Sequence, residues 1–166
     1  KQCFATKSGW VLENGALTGN DNPNADPEIL VAIGELATSI GAADITEIEF
    51  ITTAFDVSDG GTLQVRVRFN EAVDVTGTPQ LTVVNDSRAN HTLSYASGTG
   101  SNELVFSLTI AAGGGGVIAA DDELSIGANA TALNGGTIKD AGTNTASTIT
   151  NAAGVGTAAG TITATA

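Results

Sequence analysis

Residues 62–70 read TLQVRVRFN, and residues 103–110 read ELVFSLTI. In both stretches apolar residues recur at every second position, which is the pattern of a β-strand with one buried face and one face in water. Two such strands need a second apolar layer to cover their buried faces. The sequence therefore predicts an all-β fold in the form of a β-sandwich. The predicted inward-facing residues are Leu63, Val65, Val67, Phe69, Leu104, Phe106, Leu108 and Ile110.

The preceding strand predicts how the outer face of this sheet is stabilised. In residues 46–50, TEIEF, two glutamates (Glu47 and Glu49) alternate with apolar residues. If this strand pairs with the first of the two stretches, both glutamates lie near Arg66 and Arg68. Cross-strand ion pairs are therefore the expected role of these arginines, in preference to an anion-binding role. Residues 73–75, VDV, predict a further short strand.

The composition limits the classes of partner. The chain has 166 residues, with 6 Lys and Arg against 18 Asp and Glu, and its net charge is −12. This length fits one domain with an additional arm. An acidic surface repels phosphate backbones and anionic lipids, so nucleic acids and membranes are not expected partners. The single cysteine, Cys3, cannot form a disulfide within the chain, and folding in a reducing cytoplasm without a signal peptide is the simplest expectation.

No arrangement of residues predicts catalysis, so no catalytic residue, metal or cofactor is expected. His91 is the only histidine and is interpreted as an exposed loop residue. Residues 121–123 (DDE) and the pair Asp140 and Asn144 could supply calcium ligands. They lack the spacing of a calcium-binding loop and are interpreted as solvated turns.

Two loops, at residues 85–92 and 113–117, are expected to be exposed. The run of glycines at 113–116 lacks the following lysine of a phosphate-binding loop and is interpreted as a flexible turn. Residues 129–134 are expected to form a small turn. Residues 141–166 carry no charge, and their end at 161–166 alternates like a strand. This segment is therefore expected to be either a tail or the last strand.

The segment at residues 28–40, EILVAIGELATSI, allows two interpretations. Asp26, Pro27 and Gly41 would frame a helix, as N-cap, first helical residue and C-terminal glycine. The β-branched run and the internal Gly34 instead favour a strand followed by a turn. Both alternatives stay open at this point.

The chain is divided by these patterns into an arm (residues 1–44), a sandwich (45–148) and a C-terminal tail or last strand (149–166). The only tryptophan, Trp10, lies in the arm. A sandwich core normally contains its largest aromatic residue, so the arm is expected to contact an apolar partner of its own. That partner is either the base of the sandwich or another subunit.

Three stretches resemble one repeat of the bacterial Ig-like family, which occurs in cell-surface adhesins and phage virion proteins. They are residues 69–81 (FNEAVDVTGTPQL), 95–106 (YASGTGSNELVF) and 132–141 (ALNGGTIKDA). The resemblance implies an immunoglobulin-like β-sandwich without the disulfide of antibody domains. Residues 8–17, SGWVLENGAL, are in addition similar to the openings of small head proteins of tailed phages, especially marine ones.

Together the two resemblances imply a capsid decoration (cement) protein on the outer surface of a phage head. The implied partners are the major capsid protein and further copies of the chain, with a trimer as one expected form. The alternative is a carbohydrate- or cell-surface-binding module of a bacterial adhesin, and weak glycan binding is compatible with both. The expected contact residues are Phe4, Trp10, Val11, Leu12, Ile29, Leu30, Val31 and Ile33.

Overall fold

The computed structural model describes residues 42–166 and, before them, three strands: Cys3–Thr6, Gly9–Leu12 and Glu28–Ala32. The chain divides into two compact units, Lys1–Ile40 and Gly41–Ala166. Among the described residues, no helix has the length and apolarity needed to cross a bilayer.

The first unit contains a three-stranded antiparallel sheet. Its strands are β1 (Cys3–Thr6), β2 (Gly9–Leu12) and β3 (Glu28–Ala32), with β2 in the centre. The register shifts between Trp10 and Val11, where β2 pairs with β3. Of the two interpretations of residues 28–40, the strand is confirmed for Glu28–Ala32, and the remainder lies outside the described residues.

The second unit is mostly β, with ten strands in one sheet and one short helix. The strands are β4 (Ile45–Phe50), β5 (Phe55–Asp56), β6 (Gly61–Thr76), β7 (Gln80–Asn85), β8 (His91–Ser97), β9 (Ser101–Ile110), β10 (Glu123–Ser125), β11 (Thr131–Ala132), β12 (Thr137–Asp140) and β13 (Ile162–Thr165). The helix is α1 (Ala153–Thr157), and residues Gly114–Gly116 form a 3-10 turn. A mostly β fold, the coarser part of the prediction, is confirmed for the described residues.

Strands β6 and β9 form the centre of the core, as their alternation predicts. They pair along most of their length, and the residues predicted to face inward are buried, except that Leu108 is half-buried. Tyr95 packs edge-on against Phe106, with ring centroids 6.1 Å apart. Residues 73–75 are in a strand as predicted, but they continue β6 after an irregularity between Arg68 and Val73 instead of forming a separate strand.

The sheet is mixed and strongly curled. Its strand order is β12-β6-β9-β8-β7-β10-β13-β5, with β4 also paired to β6 and β11 to β7. Strand β5 ends this order, yet only residues 57–60 separate it from β6 near the opposite end. The chain therefore brings the two ends of the strand order close together, and the sheet bends into a half-barrel around one apolar cluster. The pairing of β13 with β5 is parallel.

The uncharged C-terminal segment is part of the second unit. Strand β13 joins β10 to β5, and its residues Ile162 and Ala164 are buried. Asn151 is buried as well and accepts a hydrogen bond from the backbone N–H of Ala130 at 2.9 Å. Of the two interpretations of this segment, the last strand is therefore confirmed. Within the region predicted as a small turn at residues 129–134, Thr131–Ala132 form strand β11.

Candidate functional site

The two loops predicted to be exposed lie on either side of one cleft. One wall consists of residues 87–92, from the β7–β8 loop (residues 86–90) and the start of β8. The other consists of residues 114–117 from the glycine loop (residues 113–117), and the end of β9 lines the space between them. The cleft has a volume of about 740 Å³, which lies within the range of roughly 300–1,000 Å³ typical of small-molecule sites.

Asn85, at the end of β7, anchors the β7–β8 loop. Its side-chain oxygen accepts hydrogen bonds from the backbone N–H groups of Ser87 (3.0 Å) and Arg88 (2.9 Å). Its own backbone N–H donates to Asn90 Oδ1 at 3.3 Å. Asparagine is favoured in turns because its short side chain can bond nearby backbone groups in this way. A buried residue therefore positions the loop that carries Arg88 and Asn90 to the cleft.

Asp122 connects this loop to the turn before β10. Its Oδ2 accepts hydrogen bonds from Asn85 Nδ2, from the backbone N–H of Ala119 and from Arg88 Nε, each at 3.0 Å. The Asp122 side chain is 5% exposed, whereas that of Arg88 is 43% exposed. The hydrogen bond from Asn85, more than the charge of Arg88, holds the pKa of the Asp122 carboxyl below its ordinary value. The buried carboxylate of Asp122 thus orients the Arg88 guanidinium.

His91 is not the exposed loop residue that the sequence suggested. It is the first residue of β8, is 4% exposed, and its Nε2 lies 3.4 Å from Asn85 Nδ2. Because an amide nitrogen can only donate, this contact favours the neutral imidazole with Nε2 as the acceptor. Burial lowers the pKa of His91, and the nearby charge of Asp122 partly opposes this effect.

The glycines of the glycine loop form a part of the wall that has no side chains. Its four consecutive glycines, residues 113–116, all have positive φ, between 54° and 78°. Other residues adopt this left-handed conformation only with strain. Hydrogen bonds fix the loop, from the backbone N–H of Gly113 to the carbonyl of Val57 (2.8 Å) and from that of Val117 to the carbonyl of Gly114 (3.0 Å). The absence of side chains at these glycines leaves the cleft open.

The polar groups at the cleft are suited to binding. Arg88 offers guanidinium donors, Asn90 an amide, and Thr92 and Thr109 hydroxyl groups. The two Nη groups of Arg88 have no protein partner among the described residues. Of the residues that line the cleft in the described part of the chain, Arg88 is the only charged one besides the titratable His91.

The expected contact residues lie in the first unit. Phe4, Val11 and Ile29 occupy one row of the β1-β2-β3 sheet, and Ala5, Trp10 and Val31 occupy the neighbouring row. Trp10 is 47% exposed. Leu12 ends β2 and Leu30 lies within β3, while Ile33 lies outside the described residues. The sheet therefore brings together seven of the eight residues that the sequence singled out.

Two of the carboxylates considered for calcium, those of Asp122 and Asp140, have partners within the protein. Asp122 belongs to the network beneath Arg88, and Asp140 Oδ1 accepts hydrogen bonds from the backbone N–H (2.6 Å) and the hydroxyl (3.0 Å) of Thr143. Asn144 has a φ of 59° in the same turn. Within residues 42–166 and the three described strands of the first unit, no group of three or more His, Cys, Asp or Glu side chains could hold a metal ion.

The predicted ion pairs are confirmed on the outer face of β4 and β6. Arg66 Nε donates to Glu49 Oε1 at 2.6 Å, and Arg68 Nη1 donates to Glu47 Oε2 at 2.7 Å. Glu103, on β9, adds a third carboxylate that contacts both arginines, at 3.4 Å and 2.8 Å. Sequence reasoning missed Glu103, although the pairing of β6 with β9 places it opposite Arg68. These arginines are engaged by carboxylates of their own sheet.

The chain was compared with models of protein families, with curated proteins and with solved structures, and none of the three comparisons finds a match.

Proposed function

We propose that this chain is a structural virion protein of a tailed phage, a decoration protein on the outer surface of the head. In this proposal the N-terminal unit docks on the major capsid protein and the acidic β domain projects outward. Copies of the chain form a homo-oligomer, with a trimer as one expected form. The basis is the resemblance of about residues 45–148 to one Ig-like repeat and of residues 8–17 to phage head proteins.

The observation that supports docking most is the exposure of Trp10 in a unit of its own. It lies at the centre of the small sheet and is 47% exposed. The second unit fills its core with its own residues and contains no tryptophan. Exposed tryptophans are frequent hot spots of protein interfaces, because one side chain buries a large area on binding. Trp10 is therefore assigned to the contact with the shell.

Repetition on a symmetric lattice makes such docking effective. A protein that binds the assembled shell and not its free subunits stabilises the assembled state by mass action. Contacts that are weak singly add up when one oligomer bridges several capsid subunits. The net charge of −12 per chain also keeps neighbouring copies apart by repulsion.

The decisive experiment is density-gradient fractionation of the native source, with this chain followed by mass spectrometry. Co-banding with DNA-filled particles at a fixed ratio to the main shell protein is the expected result. A chain that stays at the top of the gradient or follows cell envelopes contradicts the proposal.

The docking surface is tested by adding variants back to particles that lack the protein. Removal of residues 1–40 is expected to leave a folded β domain that no longer binds. Trp10→Ala is expected to weaken binding about tenfold or more. Leu133→Ala is the matched control, because Leu133 is also an exposed apolar residue, at 38%, but belongs to the second unit. Binding that survives the deletion shows that the N-terminal unit is not the docking element.

We further propose that the curled sheet is a variant of the Ig-like β-sandwich. Strands β4, β6 and β9 would form one layer, and β7, β10 and β13 the facing one. A single apolar cluster with residues from both sets, such as Leu63 and Ile162, supports this arrangement. Nuclear Overhauser contacts between the apolar side chains of the two sets are the expected result, and their absence contradicts the arrangement.

A second candidate function is binding to carbohydrate or a cell surface, as in bacterial adhesins. The cleft between the β7–β8 loop and the glycine loop favours it, because two loops distant in sequence form one concave site there. The two functions are compatible, since a domain that projects from a capsid could bind host glycans. A glycan array probed with the full-length protein tests the second function, and failure to bind any glycan at high protein concentration removes it.

A further inference from the structure

We propose that the cleft between the β7–β8 loop and the glycine loop binds a neutral saccharide, and that Arg88, Asn90 and Thr92 hydrogen-bond its hydroxyl groups. This inference rests on the second candidate function and specifies its site and ligand class. It is independent of docking by the N-terminal unit.

The walls of the cleft are held in place before any ligand arrives. Asn85 bonds three residues of the β7–β8 loop, and Asp122 orients the guanidinium of Arg88. On the opposite side, backbone hydrogen bonds fix the glycine loop at Gly113 and Val117. A site whose groups are already ordered pays less conformational entropy when it binds a small ligand. The structure therefore has the preorganisation that weakly binding, hydroxyl-rich ligands require.

The charges around the cleft favour a neutral ligand. Arg88 is paired with Asp122 at 3.0 Å, so its positive charge is largely offset. The chain has a net charge of −12, which repels anions from the whole surface. No carboxylate is among the residues that line the cleft in the described part of the chain, so a divalent cation lacks its preferred ligands there.

The remaining groups match a hydroxyl-rich molecule. Arg88 only donates hydrogen bonds, whereas the Asn90 amide and the hydroxyl groups of Thr92 and Thr109 can both donate and accept. Asn90 uses its Oδ1 for the bond from Asn85, which leaves its Nδ2 available. Val117, which is 49% exposed, adds apolar surface for the C–H face of a sugar ring. Small-molecule sites commonly combine apolar surface with a few fixed polar groups in this way.

The test uses the full-length protein and a panel of methyl glycosides of glucose, galactose, mannose and N-acetylglucosamine. Each glycoside is titrated into labelled protein, and backbone amide shifts are followed by NMR. We expect at least one glycoside to shift the amides of residues 87–92 and 108–117 and to leave those of the β8–β9 turn unchanged. Sodium acetate and sodium phosphate are titrated in parallel to test for an anion site.

Two variants and a matched control link binding to the cleft. Gly115→Asn adds a side chain at a position of φ +54° where a new Cβ meets nothing within 4 Å, and asparagine tolerates this conformation. Gly100→Asn is the control, because Gly100 has a φ of +78° and equally open space but lies in the β8–β9 turn, at the other end of these strands. Arg88→Gln removes the guanidinium. Gly115→Asn and Arg88→Gln are each expected to weaken glycoside binding about tenfold or more, while Gly100→Asn leaves it unchanged.

Each outcome decides a separate point. Absence of shifts with every glycoside overturns the inference, as does a response to acetate or phosphate without one to glycosides. Binding on the glycan array with shifts that map away from the cleft overturns the site but leaves the second candidate function standing. Equal affinities of Gly115→Asn and Gly100→Asn, with both variants folded by circular dichroism, also overturn the site.

Discussion

Asn85 Nδ2 donates a hydrogen bond to Asp122 Oδ2 over 3.0 Å, which joins the end of β7 to the turn before β10. Both residues are 4% exposed. The same Asn85 side chain accepts two backbone hydrogen bonds from the β7–β8 loop. This one amide therefore connects the core of the second unit to the wall of its cleft.

Replacement of Asn85 by alanine is expected to lower the free energy of unfolding by about 1–3 kcal/mol, since buried partners lose their hydrogen bonds. Asn102→Ala is the control, because Asn102 is exposed and makes only a long hydrogen bond, 3.5 Å, to the carbonyl of Phe69. Surface changes of that kind stay within roughly 0.5 kcal/mol. Urea unfolding followed by far-ultraviolet circular dichroism measures both changes. Tryptophan fluorescence is not suitable, because the only tryptophan, Trp10, lies outside the second unit. Equal effects would show that the Asn85 network contributes nothing.

The stability of the second unit is expected to fall as the pH drops below about 6.5, the ordinary pKa of histidine. Burial lowers the pKa of His91 in the folded state. As the pH falls, the unfolded state therefore takes up a proton at a higher pH than the folded state does, and this favours unfolding. The contribution of neutral His91 to stability is fully present above the pKa of the unfolded state, and it is lost as the pH falls towards the lower pKa of the folded state. His91 is the only histidine, so the unfolding free energy of His91→Gln is expected to depend less on pH below 6.5. An unchanged slope in His91→Gln contradicts this assignment.

A second loss of stability is expected at lower pH, from the carboxylates. The hydrogen bonds from Asn85 to Asp122 and from Ser58 to Asp56 lower the pKa of both carboxyl groups below the ordinary value of 3.8. Their contribution is therefore present above that value and is lost as the pH falls through the lowered pKa values. Asp122→Asn should reduce the acid-induced loss of stability, measured as thermal unfolding from neutral to acidic pH. A loss of unchanged size in this variant would rule out Asp122 as its source.

Gly98→Ala is expected to be far more damaging than Gly100→Ala in the same turn. Gly98 has a φ of +116°, and a Cβ there would lie 2.0 Å from the carbonyl oxygen of Glu103. At Gly100, with φ +78°, a Cβ meets nothing within 4 Å. Gly98→Ala is expected to lower the free energy of unfolding by about 3 kcal/mol or more, because it combines a steric clash with a left-handed backbone. Gly100→Ala is expected to lower it by about 1 kcal/mol, because only the left-handed backbone contributes. Urea unfolding of the two variants measures the difference. Similar losses of unfolding free energy would contradict the close contact between Gly98 and the carbonyl of Glu103.

The pair Arg66 and Glu49 is expected to stabilise the outer face only modestly. Both side chains are 31% exposed, so water and salt screen the interaction. A double-mutant cycle with Arg66→Gln and Glu49→Gln is expected to give a coupling of up to about 1 kcal/mol at low salt, and less at high salt. A coupling that salt does not change indicates that hydrogen-bond geometry rather than charge determines the interaction.

The regular strands could be predicted from the sequence because their burial follows a period of two. Leu63 to Phe69 show it without interruption, and the pairing of Glu47 and Glu49 with Arg66 and Arg68 followed from that alternation. His91 was misjudged because neighbouring turn-forming residues suggested a loop. His91 lies two and four positions before Leu93 and Tyr95, on the same face of β8, and this alternation could have indicated its burial.

The curl of the sheet and the cleft could not be predicted in the same way. The joining strands β5, β10 and β11 are two or three residues long, too short for a periodic pattern, and the alternation of β13 does not reveal which strands it pairs with. Their partners are distant in sequence, and local propensity carries no information about such pairs. The cleft depends on the pairing of β8 with β9, which are joined by the turn at residues 98–100, because this pairing brings the β7–β8 loop and the glycine loop to the same end of the two strands. The sequence predicted both loops as exposed but did not pair these two strands, so it did not predict the common site.

Closure of the sheet by β13 has a consequence for biosynthesis. The Thr165 hydroxyl donates to the carbonyl of Phe55, 110 positions earlier in the chain. Residues up to Thr165 must therefore leave the ribosome before β5 and β10 are joined. Until then the edge of β10 that pairs with β13 keeps its backbone hydrogen-bonding groups unpaired and open to chaperones and neighbouring nascent chains. Ribosomes that stall before β13 should release products that proteases degrade, so only fully translated copies of this domain accumulate.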